Sequence, residues 1–236
     1  MLTTTRTGFL AELDRLQQML LEMGSAVDGL IGQAMTALES PSPDAVEAVL
    51  AGDDPVDNLD IEIEKHCIFL IALQQPTARD LRFIGSAMKI STDLERIADH
   101  AVDIAKVSRK LAALGYVPDV APLSEIAAVV RRMLGDALNA FVNHDLDLLA
   151  KVIGDDDGVD ARYLDFTTRT TEAMQQDTEN AVGLSYLLFA VHYLERVADH
   201  IVNIAERVTY VETGDVSRYA NPGGNPAAGG TSPLED

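Results

Sequence analysis

From residue 9 to residue 211, apolar side chains recur at threes and fours, the period of an α-helix, and no stretch alternates as a strand would. Between residues 7 and 39, Phe9, Leu13, Leu16, Leu20, Met23, Val27, Leu30, Ala34 and Leu38 make one stripe, and Pro41 and Pro43 close it. A short helix is expected at 44–51. Asp53-Asp54-Pro55 then reads as a new start: Asp54 suits the N-cap, Pro55 the first turn, and Asp57 the position three after the cap. That helix runs to about residue 75 and breaks near Pro76. A third helix spans about 78–113, and Gly115, Pro118 and Pro122 mark a linker. The second half repeats the plan, with helices at 123–142 and 146–153. Asp155-Asp156-Asp157 opens a further long helix with Asp157 as its cap, and a last helix covers about 182–211. Beyond Gly214 the chain is Gly, Pro, Asn and Ala with almost no large apolar residue, which predicts a disordered tail. The pattern predicts an all-α fold of two tandem antiparallel three-helix bundles, residues 1–115 and 116–213, followed by the tail 214–236.

The two halves share more than a plan. Residues 94–105 read LERIADHAVDIA and residues 194–205 read LERVADHIVNIA, with nine of twelve positions identical at an offset of 100. The differences are Ile97/Val197, Ala101/Ile201 and Asp103/Asn203. Such a repeat signals two copies of one structural unit. On a helical wheel Leu94, Ile97, Ala98, Ala101 and Ala105 cluster as a packing stripe. Glu95, Asp99 and Asp103 fall on the flank at i, i+4 and i+8, one acidic ridge. In the second copy Glu195, Asp199, Asn203 and Glu206 form the same ridge beside Leu194, Val197, Ala198, Ile201, Ala205 and Val208.

Composition narrows the function classes. Of 236 residues, 38 are acidic and 18 basic, a formal net charge of −20, which argues against nucleic-acid binding and favours cation binding. There is no Trp and aromatics are only 5 %, so the core is built from Ala, Leu, Ile, Val and Met. One cysteine, Cys67, permits no internal disulfide and fits a reducing cytoplasm; its apolar neighbours mark it as core packing. The N-terminal segment lacks a signal-peptide core, and the longest apolar runs fall short of the ~20 residues that span a bilayer, so no membrane insertion is expected.

The starts of the two middle helices also match, Asp53-x-x-x-Asp57 with Asp156-x-x-x-Asp160, at an offset of 103. Each half therefore holds two acid pairs on consecutive helices: Asp53/Asp57 with Glu95/Asp99, and Asp156/Asp160 with Glu195/Asp199. Carboxylates one turn apart repel, and hard cations relieve the repulsion. The bland reading is that a lone pair is a solvated face, and that acids at helix starts complement the macrodipole. Arg96 and Arg196 could clamp a partner or an anion, but read first as salt-bridge partners one turn away; His100 and His200 could be occasional ligands, but read first as polar surface. His66, His144 and His192 lack repeat counterparts and are given no role. No phosphate-binding loop, nucleophile elbow or Ser/His/Asp pattern is present.

At these residues the chain resembles the PhoU family of accessory regulators of high-affinity phosphate uptake. The resemblance rests on the two LERxADH segments, on Gln75-Pro76-Thr77-Ala78-Arg79-Asp80-Leu81-Arg82 between two helices of the first half, and on an opening helix that begins at Phe9. It covers residues 9–211. It implies a dimeric, all-helical, cytoplasmic protein without enzymatic activity that contacts the phosphate transporter's ATPase subunit and the phosphate-sensing histidine kinase. Its role would be negative regulation of phosphate uptake and of the starvation response. The resemblance also implies iron or zinc clusters, or another divalent metal, held by Asp53, Asp57, Glu95, Asp99, Asp156, Asp160, Glu195 and Asp199, with Asp103 and Glu206 as further candidates. Ala98 and Ala198 replace the family's usual Gly, and Asn203 replaces an acid, so the two sites are expected to differ. The rival class is a carboxylate-bridged di-metal protein with an enzymatic or storage role; its inward Glu-x-x-His pairs are not matched by Glu95 and His100, five residues apart.

Overall fold

A computed structural model describes residues 6–74 and 76–215. These form six helices: α1 (Arg6–Glu39), α2 (Pro43–Gln74), α3 (Ala78–Leu114), α4 (Ala121–Asn143), α5 (Leu146–Gln176) and α6 (Ala181–Thr213). There is no strand among the described residues. Gly115 (φ 67°) and Gly214 (φ 73°) end α3 and α6 in the left-handed region, where a side chain would be strained. Of the expected tail, residues 216–236 lie outside the described residues.

The two expected breaks at the acid clusters do not occur. α2 runs unbroken through Asp53-Asp54-Pro55, and α5 runs unbroken through Asp155-Asp156-Asp157. Pro55 lies inside α2, where the missing N–H and the clash with the preceding turn cost about 3 kcal/mol. The buried stripe outweighs that cost. Val46, Val49, Val56, Ile63, Cys67 and Leu70 are all buried at steps of three, four and seven, and each buried aliphatic contributes roughly 1.5–3 kcal/mol. Leu149, Val152 and Val159 occupy the same register in α5, offset by 103 from Val46, Val49 and Val56. Asp53/Asp57 and Asp156/Asp160 thus stand well inside their helices, where the macrodipole gives an acid no support.

Within each half the three helices pack on one another, and the halves also meet: α3 lies along α6 and α1 touches α4. One continuous apolar core results, with Leu94, Ile97, Ala98 and Ala101 of α3 and Leu194, Val197, Ala198 and Ile201 of α6 fully buried in it. At the α1–α4 contact, Arg131 donates from Nε and Nη2 to the two oxygens of Asp28, both at 2.7 Å, a bidentate pair between residues 103 apart in sequence. Where α2 turns into α3, Asp80 accepts from Thr77 Oγ1 at 2.7 Å and from Arg6 Nη1 at 2.9 Å. Burial alone would raise the Asp80 pKa; these donors hold it below the ordinary value.

Candidate functional site

The packing of α2 on α3 turns two acid pairs into one electrostatic group. Burial raises the Asp53 pKa first, then the charges of Asp57 and Asp99, to about 6. Asp57 is raised by burial and then by Asp99, an acid on the other helix. Glu95 is raised by burial and by Asp99, against the pull of Arg96. The second half repeats this. Asp156 is raised to about 6 by burial, then by Asp160, Asp199 and Glu195. Glu195 is raised by burial and Asp199, with Arg196 opposing. Asp53/Asp57/Glu95/Asp99 and Asp156/Asp160/Glu195/Asp199 are therefore brought together as two quartets, each half-sunk against the bundle.

Two oxygens in these quartets are buried without a hydrogen-bond partner, Asp53 Oδ1 and Glu195 Oε2. His192 Nδ1 lies 3.4 Å from Glu195 Oε2, an ionic contact rather than a formed hydrogen bond. An orphaned buried carboxylate oxygen is costly unless a cation or donor reaches it. An all-oxygen donor set of this kind fits a hard divalent ion. Among the described residues, however, no three His, Cys, Asp or Glu side chains converge closely enough to hold an ion as they stand. Arginines engage three of these acids. Arg96 reaches Glu95 at 3.3 Å and donates to Asp99 at 2.8 Å, and Arg196 donates to Asp199 at 2.7 Å. The contacts to Asp99 and Asp199 are the one-turn salt bridges expected for both arginines, and the Glu95 contact is to the adjacent residue.

The two further candidates diverge. Asp103 accepts from Lys106 Nζ at 2.9 Å, and the same ammonium opposes the upward shift of Asp53, so Asp103 borders the first quartet. Glu206 is half-buried on α6. Cys67 is fully buried in the α2 stripe, and burial pushes its thiol up to about 12.

His100 and His200 are not the surface residues expected. They meet across the α3–α6 seam with ring centroids 5.7 Å apart. His200 Nδ1 pairs with Asp93 Oδ1 at 2.9 Å, and His100 stacks on Tyr193 at 5.7 Å. Asp93 and Tyr193 occupy the same repeat position, so the pseudo-symmetric pair is chemically unequal. Burial, with His200 facing it, holds the His100 pKa below its ordinary value, and its Nδ1 is buried without a partner. The conserved spacing of the two histidines within the repeat was the available signal; the differing partners at position 93 and 193 hid it.

Comparison with known proteins accords with this architecture. The family model described as "PhoU domain" matches residues 20–108 and again residues 123–208. The phosphate-specific transport system accessory protein PhoU homolog of Clostridium acetobutylicum is 38 % identical over 211 residues, covering 89 % of this chain and 96 % of that protein. The homolog from Streptococcus pneumoniae is 34 % identical over 89 % of this chain and 98 % of its own length. The crystal structure of PhoU from Pseudomonas aeruginosa superposes with a TM-score of 0.84 at 33 % identity, over 88 % of this chain and all of that one. No helix among the described residues is long and apolar enough to cross a membrane. With its all-helical architecture, its two acid-ridged halves and a match in each half, the chain belongs to the PhoU family.

Proposed function

We propose that this protein is an accessory regulator of phosphate transport, one that holds down high-affinity phosphate uptake and the starvation response when phosphate is plentiful. The observation that carries this reading is the end-to-end match to relatives named as phosphate-specific transport system accessory proteins, at 38 % identity over 89 % of the chain. It acts in the cytoplasm as a homodimeric, non-enzymatic adaptor, contacting the transporter's ATPase subunit and the phosphate-sensing histidine kinase. Six long helices with one continuous core suit such a role, because a stiff scaffold presents extended faces to partners with little ordering cost.

Each quartet takes up a hard divalent cation in this reading. Asp53, Asp57, Glu95 and Asp99 would hold one, and Asp156, Asp160, Glu195 and Asp199 the other. The support is electrostatic: acids desolvated next to one another, with Asp53 Oδ1 and Glu195 Oε2 unpartnered. A cation would neutralise the ridge and draw the side chains inward, changing the charge that a partner meets.

The test of the adaptor reading is affinity purification of the tagged protein from phosphate-replete cells after reversible crosslinking. The transporter's ATPase subunit, or the sensor kinase, is expected in the eluate. Absence of both, when an abundant control complex is retained, would overturn the contact model.

A further inference from the structure

The outward side of α2 carries large apolar residues that the fold leaves half-exposed, Phe69 among them with its ring stacked on His66 at 6.3 Å. Ile61, Ile68, Phe69 and Ile71 are between 40 % and 54 % exposed, and Ala72 is exposed beside them. On the helix, Ile61, Ile68 and Ala72 stack along the line opposite the buried stripe, and Phe69 and Ile71 flank it. Exposed apolar stripes of this length mark interaction sites in soluble proteins.

The internal repeat supplies a control. The offset of 103 that superposes buried Val49 on Val152 and Val56 on Val159 places Ile68 on Thr171, Phe69 on Glu172 and Ala72 on Gln175. Those three positions are polar in α5, so packing of the half does not require them to be apolar in α2. Ile61 and Ile71 have apolar counterparts, Leu164 and Met174.

Charge selects the occupant. Exposed Asp54, Asp57, Glu62 and Glu64 surround the stripe, and Lys65 is the one basic residue among exposed positions 54–72. A second copy laid on this face would set acids against acids, and an anionic lipid surface would be repelled in the same way. We propose that the outward face of α2 docks a positively charged amphipathic helix of a partner protein, whose apolar side seats on Ile61, Ile68, Phe69 and Ile71 while its Lys or Arg residues reach Asp54, Glu62 and Glu64. This rests on the adaptor reading above and names the chemistry of one partner surface. It is the helix-on-helix mode of recognition, with aromatic and aliphatic anchors at the centre and charges at the rim.

The test uses the purified full-length protein and two fluorescein-labelled amphipathic helical peptides, one of leucine and lysine and one of leucine and glutamate, read by anisotropy. The lysine peptide is expected to bind, more weakly as salt rises, and the glutamate peptide not to bind. Ile68→Ser/Phe69→Ser changes half-exposed side chains and is expected to weaken binding at least tenfold while the helical circular-dichroism spectrum and a cooperative melt are retained. Leu164→Ser on α5 is expected to leave binding unchanged. Equal affinity of the wild type and the α2 variant would overturn the proposal. So would conversion of a dimer to a monomer by Ile68→Ser/Phe69→Ser in light scattering, because the face would then be a self-interface. Peptide binding is measured apart from transcription of starvation genes, so this proposal and the regulator reading fail separately.

Discussion

Replacing both Asp53 and Asp156 by asparagine is expected to stabilise the metal-free protein at neutral pH. Each carboxyl titrates near 6 in the folded protein instead of at its ordinary 3.8. Between those values the folded state binds more protons than the unfolded chain, so stability falls as pH rises through the window. Below about pH 4 both states are protonated and the stability is fully present; above about pH 6 both are ionised and the whole penalty is felt. At about 1.36 kcal/mol per pH unit, the displacement corresponds to roughly 3 kcal/mol for each group if nothing screened it. Both sites are open to solvent on one side, which reduces this to about 1 kcal/mol each. Asparagine keeps the shape and removes the charge, so the double variant should gain about 2 kcal/mol and melt about 4–8 °C higher, at ~2–4 °C per kcal/mol for a chain of this size. The assay is a circular-dichroism melt in EDTA at about pH 7.5 and again at about pH 4, where the wild type is protonated and the gain should vanish. A double variant that melts no higher than wild type at neutral pH, or a gain that persists unchanged in acid, would refute the electrostatic account of the quartets.

Three further outcomes follow from the same structure. Protein purified without chelator is expected to carry stoichiometric divalent metal, measured by elemental analysis, and Glu95→Ala/Asp99→Ala should lose the share held by the first half; unchanged content would remove that quartet as the site. Pro55→Ala restores an N–H to an unbroken helix and should stabilise by roughly 1–3 kcal/mol in denaturant titration; a loss of stability would mean the helix depends on the proline's geometry. Cys67, fully buried with its thiol pushed up to about 12, should resist Ellman's reagent in the native protein and react at once in guanidinium; rapid native labelling would contradict the packing of α2.

The packing stripes were legible because burial imposes a period. Leu94, Ile97, Ala98 and Ala101 in α3, and their counterparts in α6, could be assigned to the core from spacing alone, and all are buried. The quartets were legible as lists of acids, since Asp53/Asp57 and Asp156/Asp160 repeat at a fixed offset. Their shared electrostatics were not, because that depends on α2 lying against α3. The helix breaks at Pro55 and at Asp155–157 were misread because local capping chemistry was weighed above register. The seven-residue steps Val49 to Val56 and Val152 to Val159 already carried the stripe across both acid clusters. Contacts between distant residues left little trace: nothing local pairs Asp28 with Arg131, or sets Asp93 beside His200 and Tyr193 beside His100. Those contacts run between the two tandem bundles, α1 to α4 and α3 to α6.

Repression of the phosphate-starvation response by this chain is tested by transcription of starvation-induced genes in phosphate-rich medium, in cells lacking this gene alone. Those genes are expected to stay on, and the wild-type chain supplied in trans is expected to turn them off again. Normal repression in the deletion strain, with no second family member expressed, would contradict that role.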